Sequence, residues 1–323
     1  MSVLIVARKE FADQISSKRF LALGGVILLI TLYTVYQGVQ GFFNPYGSGM
    51  QRSFISIFGV SSSFGFMTFG AFLGLLMGFD LVTKEKEEGS LKTLLSHPVF
   101  RDSVINGKAI GAFAALGVAI FLILTISIGI LLLHGVYPSL SDLVDVVKFG
   151  ALTLVYTFTF FAISLFTSTI ARNSGTALIL AFGFLIIFMA VLPIIGEIMS
   201  QLIVGPPPRP PSVSPPDVVP PPLNKEGVPI RIEERVLIED DDVKKLWKEY
   251  ERQNQEYWEK KRAISDTFSI FSPSNSYLAL LSSIGARTFF ETKDTTKNLM
   301  GFIALPVIFF IMSYIKFLRM DIT

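Results

Sequence analysis

DLVTKEKEEGSLKTLLSHPVFRDSVINGK, residues Asp80 to Lys108, is a charged, Gly-punctuated island between two long apolar runs. In order it carries Glu85, Glu87 and Glu88, then Gly89, a short stretch with Leu91, Leu94 and Leu95, then Pro98 and Arg101, and finally Gly107 and Lys108. The apolar flanks decide the fold class. A helix needs about twenty mostly apolar residues to cross roughly 30 Å of hydrocarbon, because every backbone polar group there must be paired inside the element. Six runs qualify: Phe20 to Gln37, Phe64 to Val82, Ala109 to Leu133, Phe149 to Ile170, Thr176 to Val204 and Leu299 to Phe317. Composition agrees, since 51% of the 323 residues are hydrophobic and Phe alone numbers 30, a load that ordinary soluble domains do not carry. The expected class is an all-α membrane protein with six transmembrane helices.

The first run follows a charged arm and has no small-residue cleavage site behind it, so it reads as an uncleaved span. The absence of Cys removes disulfides, thiolate metal sites and Cys nucleophiles. A net charge of +2 says little. The placement of the charges says more, because Lys and Arg beside a membrane mark its cytoplasmic face. They gather in the amino-terminal arm (Arg8, Lys9, Lys18, Arg19), in the loop after span two (Lys84, Lys86, Lys92, Arg101, Lys108), and at Arg172, Lys316 and Arg319. Both termini are therefore expected in the cytosol of a multi-pass cell-membrane protein, with residues 205–298 outside. The expected division is 1–204 for an elbow helix and spans one to five, 205–298 for the external insertion, and 299–323 for span six and a cytosolic tail.

In the arm, Leu4, Ala7, Phe11 and Ile15 recur at helical spacing while Arg8, Lys18 and Arg19 can reach headgroups. This predicts an interfacial helix, the alternative being a positively flanked terminus without special structure. Gly70, Gly74 and Gly78 make two overlapping Gly-xxx-Gly pairs on one face of span two, which lets another backbone approach, inside the chain or across a dimer seam. Pro193 and Pro306 should bend spans five and six. Thr153, Thr157, Thr159, Ser164 and Thr167 of span four either face a translocation path or bond their own helix. Ionisable groups in a membrane flag function; Asp80 and His134 lie at span ends, and Glu197, late in a long fifth span, is the residue to test for transport.

The insertion has three parts. Residues 205–222 are Pro-dominated and predict an extended spacer, with capture by a polyproline-binding module as the alternative. Asp240, Asp241 and Asp242 then cap a helix of about six turns with Val243, Trp247, Tyr250, Tyr257 and Ile264 near a 3-4 repeat. Trp247, Tyr250, Tyr257 and Trp258 are the candidates for contact with an external partner or substrate. Third comes SIFSPSNSYLALLSSIGARTFF, where Leu278, Leu281 and Ile284 predict an amphipathic segment on the outer membrane surface.

No phosphate-binding G-x-x-x-x-G-K-[ST] cradle exists: Gly107 and Lys108 are followed by Ala109, with Asp102 where the first Gly belongs. The two His, His97 and His134, are far apart in sequence, so no metal site is expected. A membrane peptidase would need a polar cluster within the spans that is not found.

The 80–108 segment resembles the cytosolic docking loop of ABC-2 type exporter permeases, of the copper-enzyme-maturation and multidrug-type branch. The matched features are Glu85, Glu87, Glu88, Gly89, Leu91, Leu94, Leu95, Pro98, Arg101, Gly107 and Lys108. The elbow run Arg8, Lys9, Glu10, Phe11 with Lys18, Arg19 and Phe20, and Ser272, Pro273 and Tyr277 ahead of the last span, are similar to that family too. The resemblance implies an exporter permease that is not itself an enzyme and works with separate ABC ATPase subunits holding the ATP and Mg. It implies also a second permease copy or a related permease, contact with membrane lipid, no nucleic acid, and no cofactor in this chain. Leu91, Leu94 and Leu95 would enter a cleft on the ATPase, with the Glu85 to Glu88 run and Arg101 as rim charges. The long external insertion departs from the family pattern. The competing reading is a multi-pass receptor or scaffold whose external aromatic helix binds a partner.

Overall fold

The computed structural model describes residues 3–42, 65–89, 100–212, 241–284 and 295–320, and every regular element among them is helical. Six helices are long and apolar enough to cross a membrane: Lys18–Gln40, Phe66–Glu87, Arg101–Leu133, Leu140–Ile170, Ser174–Val204 and Thr296–Leu318, numbered here as spans one to six. Leu91, Leu94, Leu95 and Pro98 lie outside the described residues.

Helix α1 (Val3–Ile15) precedes α2 (Lys18–Phe42), which contains span one. Span two is a π-helical turn at Phe66–Gly70, then α3 (Ala71–Gly78), an irregular turn and α4 (Thr83–Glu87). Spans three and four are α5 (Arg101–Leu133) and α6 (Leu140–Ile170). Span five is α7 (Ser174–Ile186), a second π-helical turn at Ile187–Val191 and α8 (Leu192–Val204). Then come α9 (Asp241–Ser269), α10 (Pro273–Ser283) and α11 (Thr295–Leu318), the last containing span six.

Helices α5 and α6 begin about two turns before the apolar runs that announce them. At about 1.5 Å per residue a helix of this length reaches roughly 50 Å, well past the hydrocarbon thickness. Their first turns are therefore polar extensions, carrying Arg101, Asp102 and Lys108 in α5 and Asp142, Asp145 and Lys148 in α6. A capping box starts α6: Asp142 N donates to Ser139 Oγ (3.2 Å) and Ser139 N to Asp142 Oδ2 (2.8 Å). Pro193 enters one residue into α8, directly after the π turn. Pro lacks the donor a regular turn needs and its ring crowds the preceding carbonyls, and the widened turn accommodates both.

Contacts divide the chain into two compact units, Met1–Ile194 with Phe268–Thr323, and Ile195–Thr267. The first is organised around α6, which packs on α3, α5, α7, α10 and α11. The apolar windows of spans two and four are 67% and 61% buried, against 11% to 39% for the other four, so spans two and four are the interior pair. Phe149, Tyr156, Phe160 and Phe161 of α6 form the centre of this core. On the outer spans Leu29, Phe121 and Ile179 are exposed, as hydrocarbon-facing positions should be.

Helix α10 departs from expectation. The sequence pattern points to Leu278, Leu281 and Ile284 as one face of a surface segment, but the structure buries Pro273, Ser274, Ser276, Tyr277, Leu280 and Leu281, leaving Leu278 and Ile284 half-buried. The Ser and Tyr groups that look solvent-directed in sequence find hydrogen-bond partners on spans four and five, so burial leaves them satisfied.

In the second unit, α9 runs to 29 residues, longer than the six turns expected. Its stripe is half-buried at Val243, Trp247, Tyr250 and Ile264 and buried at Tyr257, while Leu246 and Trp258 are exposed. On its solvent face Arg252 bonds Glu249 at 2.7 Å and Glu256 at 2.8 Å. The Arg252 and Gln253 hydrogen bonds hold the Glu249 carboxyl down at about 2.

Candidate functional site

The residues flanking 90–99 are tied to the ends of all the surrounding helices. Lys108, on the first turns of α5, is 4% exposed. Its Nζ donates to Glu85 Oε1 at 2.8 Å and to Glu10 Oε2 at 3.2 Å, joining α5, α4 and α1. Gln14 Nε2 completes the arrangement by donating to Glu10 Oε1 and to the Met77 carbonyl, both at 3.1 Å. Burying a cation is tolerable only with such compensation. Helix α1 can come this close because α5 presents two glycines to it. A Cβ on Gly107 would lie 2.6 Å from Val6 Cβ, and one on Gly111 would lie 2.6 Å from the Ala7 carbonyl oxygen. Gly107-xxx-Gly111 is a second close-approach pair, legible in the sequence as the same small-xxx-small spacing that Gly70, Gly74 and Gly78 show.

The other flanking charges each seal a helix end. Lys86 Nζ donates to the Thr169 and Ala171 carbonyls at the end of α6 (3.2 and 3.4 Å), where a cation also suits the helix dipole. Glu87 accepts from Ser174 N (3.0 Å) and Ser174 Oγ (2.6 Å) at the start of α7. Ser168 Oγ accepts from Val82 N and Thr83 N, filling donors that the irregular turn leaves open. Asp80 pairs with Arg19 at 2.7 Å, and that guanidinium also lies over Phe79. Arg101 Nη1 donates to the Leu318 and Met320 carbonyls at the end of span six (3.0 and 2.8 Å). Gly89 adopts φ 70°, a left-handed value that ends α4 and that other residues rarely adopt.

The acidic run thus divides. Glu85 faces Lys108, Glu87 caps α7, and Glu88 is exposed, with a loose contact to Lys84 at 3.9 Å. Nothing in the residue order distinguishes the three, because their partners lie on other elements.

The glycine face of span two lies on span four of the same chain. A Cβ at Gly70 would meet Thr157 Cγ2 at 2.9 Å; at Gly74 it would run into the Thr157 carbonyl oxygen with Phe161 N at 3.0 Å; at Gly78 it would run into Ser164 Oγ with the Phe161 carbonyl oxygen at 2.7 Å. Thr157 and Ser164 are buried in that seam and Thr153 is buried beside α10; the three donate to Thr153, Phe161 and Phe149 carbonyls of their own helix at 3.0, 3.0 and 2.8 Å respectively. His134 closes α5, its Nδ1 2.9 Å from the Ile130 carbonyl oxygen. Glu197 occupies the last turns of an uninterrupted α8, accepting from Lys261 (2.7 Å) and Gln201 (2.8 Å). Trp247 meets Tyr250 edge-on, and Trp258 meets Tyr257 the same way while receiving the Lys261 ammonium over its ring at 5.1 Å.

A second polar network crosses the core. Tyr156 OH donates to the Met67 carbonyl in the first π turn (2.7 Å) and lies 3.1 Å from Ser274 Oγ. Tyr277 stacks on Tyr156 with centroids 4.6 Å apart and pairs its hydroxyl with Thr153 Oγ1 at 2.8 Å. Burial pushes the Tyr277 hydroxyl above the usual phenol range, so it keeps its proton. Ser272 Oγ donates to the Phe188 carbonyl in the second π turn (2.9 Å) while accepting from Asn275 N at the start of α10. Helix α10 therefore satisfies or braces both irregular turns. Tyr156→Phe should lower the stability of the detergent-solubilised chain by about 1–3 kcal/mol, the cost of taking the hydroxyl partner from a part-buried carbonyl. An unchanged thermal unfolding midpoint would show that the bond to Met67 contributes nothing.

A search of curated proteins finds no match. Residues 4–322 match the family described as ABC-2 family transporter protein, nearly the whole chain. With six apolar helices in an all-helical fold, this multi-pass membrane protein belongs to the ABC-2 transporter family, as a membrane permease component whose family implies partnership with ABC ATPase components.

Proposed function

We propose that this chain is the permease of an ATP-driven exporter, with both termini and the 80–108 segment in the cytosol, and that this segment docks on a separate ATPase. One observation carries the reading: the residues on either side of 90–99 reach all six spans. Span two runs into the segment and span three out of it. Arg19 with Asp80 brings in span one, Lys86 with Thr169 and Ala171 span four, Glu87 with Ser174 span five, and Arg101 with Leu318 and Met320 span six. Lys108 adds α1 through Glu10. A load applied to Leu91, Leu94 and Leu95 by a closing ATPase pair is then delivered to every span at once, through rigid elements with two arrangements.

The orientation is supported by the gathering of Arg8, Lys9, Lys18, Arg19, Lys84, Lys86, Arg101, Lys108, Arg172, Lys316 and Arg319 on the ends and loops of one side. The transported molecule is proposed to pass between this permease and a second copy or related permease, because the hydroxyls of Thr153, Thr157 and Ser164 are engaged within this chain. The export direction follows from the resemblance of the docking loop. Leu94→Asp tests the docking. Co-expressed with its ATPase, the variant chain should insert normally yet recover about tenfold less ATPase on purification, the loss expected when a buried apolar anchor is replaced by a charge. Stoichiometric ATPase on the variant would overturn the assignment.

A further inference from the structure

A cleft of about 520 Å³ opens where α1, the start of span one and the end of span two meet. Its rim is charged and one wall is apolar, descending from Asp80 past Leu76 to Leu73, a drop of roughly 10 Å at the helical rise. Cations and anions are equal in number around it. Arg19 pairs with Asp80, and Lys108 with both Glu10 and Glu85, at 2.7 to 3.2 Å, which leaves one acid in excess among these five to balance the extra cation on the rim. The groups that remain turned to solvent are Lys9, Lys18 and Lys84 of one sign and Asp13 and Glu88 of the other, and among them Lys84 and Glu88 make a contact at 3.9 Å. Such a rim suits neither a simple anion nor a simple cation. It suits a zwitterion, and the apolar wall demands that the zwitterion carry a hydrocarbon tail.

We propose that this cleft binds a membrane aminophospholipid, phosphate toward Lys18 and Lys84, ammonium toward Asp13 and Glu88, and the first acyl carbons along Leu23 and Leu76. Lys stems lie along apolar surface while their ammonium groups reach phosphate, and charge-assisted hydrogen bonds give the headgroup its selectivity. The site is independent of the transport reading, since it rests only on the charges of the rim and their position at the ends of two spans. The bound lipid would fill the gap between spans one and two beside the Lys108 cluster.

The test uses the delipidated full chain in mild detergent, titrated with phosphatidylethanolamine, phosphatidylglycerol or inorganic phosphate, with adducts counted by native mass spectrometry. One phosphatidylethanolamine should be retained in preference to phosphatidylglycerol. Lys18→Ala with Lys84→Ala should weaken it by about tenfold or more, equivalent to one or two lost charge-assisted bonds. Asp13→Asn with Glu88→Gln, both at exposed positions, should turn the preference toward phosphatidylglycerol. Equal retention of the two lipids by the wild-type chain, or unchanged retention by the Lys variant, overturns the proposal. Displacement of lipid by millimolar phosphate would mean a free-ion site instead, and no retained lipid at all would mean that protein, from a second copy or the ATPase, fills the cleft.

Discussion

Lys108→Met is expected to destabilise the full chain by about 3–5 kcal/mol, because it removes a buried cation that pairs with the buried Glu10 and the half-buried Glu85. Glu10 is 8% exposed and Glu85 has 21% of its side chain exposed, so water cannot replace the ammonium fully at either. Desolvation makes removing one partner far worse than never building the cluster. Glu10→Gln, Glu85→Gln and Lys108→Met together should therefore recover most of the loss, since the triple variant buries no net charge. The measurement is thermal unfolding of the three single variants and the triple variant in one detergent. A Lys108→Met chain within about 1 kcal/mol of wild type, the range of an exposed pair, would sink the claim that this cluster is buried and structural. Transport gives a second readout. If α1 moves with the docking segment through Glu10, the triple variant should fold yet couple ATP hydrolysis to transport less efficiently than wild type.

Gly74→Leu and Gly78→Leu should prevent the folded chain from accumulating. At both positions the first carbon of any side chain meets the backbone of α6, at Thr157 and Phe161 for Gly74 and at Phe161 and Leu165 for Gly78. Backbone cannot rotate away as a side chain can, so spans two and four would have to separate along the interior seam of the molecule. Overpacking costs about 1–3 kcal/mol even where side chains can adjust, so Ala alone should already be harmful at these two positions. Gly70→Ala should be milder, because its new carbon meets only the Thr157 methyl at 2.9 Å. Gly25→Ala is the control, with no atom of the described residues within 4 Å of the added carbon. Fluorescence-detected gel filtration of tagged variants reads the order, and equal yields for Gly25→Ala and Gly74→Leu would refute the close approach.

How much of this was visible beforehand depends on the range of the interaction. Spans were legible because hydrocarbon imposes a local rule, and the helices coincide with the six apolar runs. Their ends were less so: α5 and α6 start at Arg101 and Leu140 because capping and packing, not hydropathy, decide where a helix begins. The π turns at Phe66–Gly70 and Ile187–Val191 have no clear sequence signal beyond Pro193 after the second. Their carbonyls are matched by Tyr156 and Ser272, which are distant in sequence. Ser272 and Tyr277 stood out in the sequence, but their burial could not be read from an eleven-residue pattern that is half polar.

By itself the sequence determined the helical class, the number of spans, the charged segment between spans two and three and the concentration of basic residues on one side. Each follows from composition within about thirty consecutive residues, where the cost of unpaired backbone or charge in hydrocarbon overrides detail. Only the tertiary structure decided that Lys108 bridges Glu10 and Glu85, that Glu87 caps span five, that Arg101 closes span six, and that the glycine face of span two lies on span four. Those outcomes depend on which helix faces which and in what register. A buried charge or a bare glycine acquires its meaning from a partner that may lie more than two hundred residues away, as Arg101 and Met320 do.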